Sequence, residues 1–136
     1  MKLAYALLVL GAAFAATACG SYEGSPPPTA TLRVAQVLDE SGGLYAEGSR
    51  SYVRLVAPND AVRAEEELDP ETQSIVLTVP AGPYTLESWQ RPCDGNCGYL
   101  DPPTDRCSAT LEVDAGTATR ATVRLRPGEG CTIEVA

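Results

Sequence analysis

The chain cannot run far without meeting a turn. Past Thr31 the clusters DPET (Asp69–Thr72), PAGP (Pro80–Pro83), DAGT (Asp114–Thr117) and RPGEG (Arg126–Gly130) break it into short pieces. Each cluster has a reason to turn, since proline presets φ and glycine supplies φ > 0. Gly82, where the chain reverses between Val79 and Tyr84, is expected to take a positive φ. The pieces between, TLRVAQVL, SYVRLVA, SIVLTVP, PYTLESWQ, CSATLEV, TATRATVRL and CTIEV, are rich in Val, Thr, Ile, Leu and Tyr. Alternation puts Ile75, Leu77 and Val79 on one face, as it does Ala109, Leu111 and Val113, and Ile133 and Val135. The stretch AVRAEEEL (Ala61–Leu68) is ambiguous. Its propensities suit a short helix, while Val62, Ala64 and Leu68 share a strand parity, and the strand is the preferred reading. The expected fold is all-β, an antiparallel β-sandwich of about seven to eight strands over residues 31–136.

Composition removes several functions. The net charge is −8, which argues against a nucleic-acid partner, because phosphates need a basic stripe. Nine of the ten basic residues are arginine, and the only lysine is Lys2. The 136 residues include no histidine. That gap takes away the commonest general base and metal ligand, and with them Ser-His and Cys-His nucleophiles.

The N-terminal sequence MKLAYALLVLGAAFAATACG holds one cation and then an apolar run from Leu3 to about Ala16. A membrane-spanning helix competes with a cleaved signal peptide. The run is Ala-rich and meets Gly, Ser and Pro at once, which favours a signal over residues 1–18. ATAC (Ala16–Cys19) resembles the lipobox of bacterial lipoproteins, in which the cysteine is acylated and becomes the new N-terminus. The resemblance implies an exported protein held to a membrane through lipid on Cys19. Cysteine parity agrees, because setting Cys19 aside from five leaves an even set. Residues 19–30, with three consecutive prolines, read as the anchored cysteine and an extended tether.

SIVLTVPAGPYTLESW (Ser74–Trp89) carries a second resemblance. A strand, Pro-Ala-Gly, then a tyrosine opening the next strand is similar to prealbumin-like sandwich modules. These include carboxypeptidase regulatory-like domains and the B-type repeats of collagen adhesins. The resemblance implies an accessory scaffold, or a carbohydrate- or protein-binding module. The Lys–Asn crosslink of the adhesin repeats is impossible here, since no lysine follows Lys2.

RPCDGNCGYLDPPTDRC (Arg91–Cys107) asks for a metal, a catalytic loop or disulfides. If each strand from Ser74 onward reverses the last, Cys93, Cys97, Cys107 and Cys131 all fall at one end of the sandwich. A Cys₄ zinc site lacks the paired two-residue spacings of a zinc ribbon. Asp94, Asn96, Asp101 and Asp105 offer oxygen ligands for calcium, yet they are also what tight turns use. No metal or cofactor is therefore expected. Export favours two disulfides. Of three connectivities, Cys93–Cys97 with Cys107–Cys131 is preferred, because the first can close locally and the second joins two strand starts of apolar-face parity. The preferred reading of the disulfides is that they stabilise a modest domain; the alternative is that the loop over residues 91–106 presents Tyr99 and Leu100, with Trp89 and Arg91 beside them, to an envelope protein or a glycan. A small carboxylate-based hydrolase is the competing class, but such chemistry needs two carboxyls across a cleft.

Overall fold

The computed structural model describes residues 24–39, 48–93, 97–126 and 128–136. The signal-like segment, Cys19, and the loop residues Asp94 and Asn96 lie outside the described residues. Eight strands follow: β1 (Thr29–Leu38), β2 (Arg50–Val56), β3 (Val62–Glu67), β4 (Ser74–Pro80), β5 (Gly82–Arg91), β6 (Thr104–Val113), β7 (Ala118–Arg126) and β8 (Gly130–Val135). They form two four-stranded sheets, β4-β1-β7-β8 and β3-β2-β5-β6. This is the all-β sandwich that the turn spacing implies, with the ambiguous Ala61–Leu68 stretch supplying β3.

Every strand runs opposite to the one before it, so odd and even strands form two directional sets. All the pairs are antiparallel except β1 with β7, both odd, which meet side by side and are parallel. One parallel pair is therefore built into an alternating chain once β7 docks on β1.

The Pro-Ala-Gly turn reverses the chain without pairing the two strands it joins. β4 belongs to one sheet and β5 to the other, so the turn carries the chain across the sandwich instead of pairing its flanks. Ala81 N–H donates to the Pro28 carbonyl at 2.8 Å, tying this corner to the residue before β1. The Tyr84 hydroxyl donates to the Pro80 carbonyl at 2.7 Å and braces the same corner from inside. Gly82 does take a positive φ, 148°.

Inward parity builds the core. Leu32 and Val34, Val53 and Leu55, Leu86 and Val123 are all essentially inaccessible to water. Burying one such side chain contributes roughly 1.5–3 kcal/mol. Ile75, Leu77 and Val79 share the inward face of β4, and Leu111 and Val113 that of β6. Two alternation readings hold only in part. Val62 is exposed, because the β2–β3 register shifts at Leu55/Val56, and Val135 is exposed on an edge strand.

Toward the far ends of β2 and β5 the inward layer changes character. Ser51, Ser88 and Gln90 take the buried positions, and the Ser88 hydroxyl donates to the Tyr52 carbonyl at 3.2 Å. Apolar packing thins out here, and the disulfides sit at this same end.

Candidate functional site

Both disulfides pair as the spacing suggests, Cys93 with Cys97 and Cys107 with Cys131. The second joins β6 to β8, the edge strands of the two sheets on the same side of the molecule. Cys107 and Cys131 both lie on inward parity and pack against the core.

The first disulfide shapes the loop that follows β5. Gly48, just before β2, lies against it with φ 86°; a Cβ built there would stand 2.9 Å from the Cys97 sulfur. Arg91, at the end of β5, closes the loop from the other side. Its Nε donates to the Asp101 carbonyl at 3.0 Å and a terminal nitrogen to the Leu100 carbonyl at 2.8 Å. The Asp101 N–H donates in turn to the Pro92 carbonyl at 2.8 Å. Arg91 is thus a clasp for the loop, spent on backbone oxygens.

The four side chains named for the loop have different environments. Tyr99 stands out with 84% of its surface exposed. Leu100 and Arg91 are half-buried. Trp89 is not presented, since only 8% of it is exposed. It lies on the outward face of its sheet, opposite Tyr52 in register. The two rings stack at 5.7 Å between centroids, nearly parallel, and the Arg54 guanidinium sits 5.1 Å from the Trp89 ring. Parity puts Arg50, Tyr52 and Arg54 of RSYVRLV on the polar face, but it does not show that this face lies beside Trp89. The same parity faces Glu65 and Glu67 of β3 toward Arg54 and Arg50.

Those charges do pair. Arg54 reaches Glu65 at 2.7 Å and Glu87 at 3.5 Å, and Arg50 reaches Glu67 at 2.7 Å. The hydrogen bond that Arg54 donates to Glu65 raises the Arg54 pKa further above its usual value, so its charge is permanent.

β6 begins at Thr104, so residues 104–106 of the expected loop are strand. Its pairing with β5 slips between Ser88 and Gln90, leaving an extra residue opposite Trp89. Asp105 occupies the bulge with φ 49°, and its carboxylate accepts from the Thr104 hydroxyl at 3.3 Å and the Gly128 N–H at 3.4 Å. Bulges re-aim neighbouring side chains. Here Arg106 is exposed beside Trp89.

Tyr52, Arg54 with its partner Glu65, Trp89, Arg91, Pro103 and Arg106 line an open hollow of about 250 Å³. Enclosed small-molecule pockets run from about 300 Å³ upward and bury most of the ligand. An open hollow of this size, with guanidinium groups on its rim, suits the side of an extended or flat partner. Among the described residues no group of three or more His, Cys, Asp or Glu side chains is placed to hold a metal ion. No protein family, curated protein or solved structure matches the chain.

Proposed function

We propose that the chain is a lipid-anchored envelope lipoprotein whose β-sandwich is a non-enzymatic accessory module, binding an envelope protein or glycan through residues 91–106. The observation that carries the binding role is Tyr99. A large aromatic is held in water on a loop fixed by Cys93–Cys97, by the two Arg91 bonds and by the Asp101–Pro92 bond. Exposed tyrosine on a rigid backbone loses little conformational freedom on binding. The adjoining arginine-rimmed hollow would extend the contact.

The anchor is supported by the apolar run from Leu3 and the small residues before Cys19. A geometric point makes the two halves of the reading compatible. The chain enters β1 at Thr29 beside Pro80, next to the start of β5, whereas the loop follows the other end of β5. Ten strand residues separate those ends, roughly 33 Å. An acylated Cys19 with its proline-rich tether, about 30 Å if extended, would then hold the loop on the side away from the bilayer. The prealbumin-like kinship is supported by the Pro-Ala-Gly corner and Tyr84 alone.

Two measurements test the reading. Chemical crosslinking in the native envelope, followed by capture of the tagged full chain, should recover a partner or glycan that Tyr99→Ala loses. Recovery undiminished in Tyr99→Ala would overturn the loop as the binding site. Intact mass and detergent partitioning of membrane-purified protein should show acyl chains that Cys19→Ser removes. An unchanged mass in that variant would end the lipoprotein reading while leaving the binding loop standing.

A further inference from the structure

A two-sheet sandwich has four edge strands, here β3, β6, β4 and β8. An edge strand offers unpaired N–H and C=O groups to any other chain, and folded proteins usually blunt it with charge, bulges or cover. Three of these edges are blunted. β3 reads VRAEEE, so two copies paired along it would bring glutamates opposite glutamates. β6 carries the Asp105 bulge, and Cys107–Cys131 bridges it to β8.

β4 is different. SIVLTVP contains no charged residue, and Val76 is 53% exposed. Its backbone orientation can be assigned. The Asp69 N–H donates to the Ser74 carbonyl at 3.2 Å, so Ser74 turns its polar groups away from β1. Successive strand residues present these groups to alternate sides. Val76 and Thr78 therefore also face the free edge, while Ile75, Leu77 and Val79 face β1. Among the described residues no backbone group outside β1 bonds to Val76 or Thr78.

We infer that a second copy of this chain pairs with β4, antiparallel and centred on Leu77, joining the two β4-containing sheets into one. The edge is self-complementary about that point. Val76 of each copy falls opposite Thr78 of the other, and each such pair exchanges both of its N–H···O=C bonds. Two β-branched side chains directly opposite each other form a favourable cross-strand pair. The arrangement is two-fold and closes on itself, so it gives a dimer and no fibre. No charge stands at the contact. Each chain nevertheless carries −8, so screening by salt strengthens the dimer, opposite to an interface made of ion pairs. This inference is independent of the anchor and of the loop.

Sedimentation equilibrium of the full chain carrying Cys19→Ser tests it, over a concentration series at low and high salt. A monomer–dimer equilibrium that shifts toward dimer with salt is expected. Thr78→Pro should abolish the dimer with little change in the unfolding midpoint of the monomer, because the Thr78 N–H faces away from β1. Val76→Lys, at an exposed position, should do the same if the proline variant does not fold. Thr122→Lys, on β7 away from the edge, should leave the dimer intact. Hydrogen exchange at Val76 and Thr78 should slow as concentration rises. A monomer at every concentration, or a dimer that survives Thr78→Pro and Val76→Lys, overturns the inference.

Discussion

On one long edge of the sandwich, β6 and β8 are bridged covalently by Cys107–Cys131; on the other, β3 and β4 are joined without a covalent bridge, through the Leu68–Gln73 connection. The two edges face the same problem. Each must hold the rims of two sheets together where the core is thinnest. The stapled edge does so with a bond that closes a loop with a sequence separation of 24. The open edge relies on packing and a turn. Leu68 is buried with 2% exposure, and its N–H donates to the Ser51 carbonyl at 2.8 Å.

The largest expected effects compare these two closures directly. Replacing Cys107 and Cys131 together by alanine should cost about 3 kcal/mol, from the loop entropy returned to the unfolded chain. Leu68→Ala on the other edge should cost about 2–4 kcal/mol through lost burial and a residual cavity. Urea unfolding of both variants, beside the unmodified chain under oxidising conditions, checks the pair. If the alanine pair at 107 and 131 unfolds at the unmodified midpoint, the staple contributes nothing to closing that edge.

A second comparison sets the two ends of β5 against each other. Gly48 at the disulfide end and Gly82 at the tether end both have positive φ, 86° and 148°. At Gly82 a Cβ would meet nothing within 4 Å, whereas at Gly48 it would collide with the Cys97 sulfur. Gly82→Ala should therefore cost only the backbone strain, about 1 kcal/mol. Gly48→Ala should cost more and should displace the loop, lowering binding through Tyr99 as well. Equal midpoints for the two variants would mean that the Cys93–Cys97 bridge yields easily to the new methyl group.

What the sequence made legible follows the same division. The placement of the four cysteines at one end needed only that successive strands reverse direction. It survived although Pro80-Ala81-Gly82 turned out to join two sheets rather than close a hairpin. Strand parity also fixed which residues face inward, Leu77, Val79, Leu111 and Val113 among them. What parity could not supply is which strands become neighbours. That choice covers Trp89 with Tyr52 and Arg54, while Arg91 bonds locally to the Leu100 and Asp101 carbonyls. A residue's sequence neighbourhood showed an aromatic and a cation beside a loop; its burial depended on a strand about forty residues away. Gly48 was invisible for the same reason, because its constraint comes from Cys97.

The smallest predicted effect isolates the turn on the open edge. Asp69 Oδ1 accepts from the Glu71 N–H at 3.0 Å, the Thr72 N–H at 2.7 Å and the Thr72 hydroxyl at 3.1 Å. The Thr72 bonds, backbone first, hold its pKa below the ordinary aspartate value. Folding thus favours the ionised carboxylate. The contribution is whole above the pKa of an unfolded aspartate and is lost as pH falls through the depressed folded value. Asp69 is fully exposed to solvent, so the effect is modest. Asp69→Asn keeps an oxygen acceptor for the turn but has no proton to gain. Its unfolding midpoint should therefore fall less steeply than that of the unmodified chain as pH drops from about 5 to about 2. The difference between the two profiles isolates the Asp69 charge. Parallel pH profiles for the two would show that the Asp69 charge plays no part in closing this edge, leaving Leu68 to hold it alone.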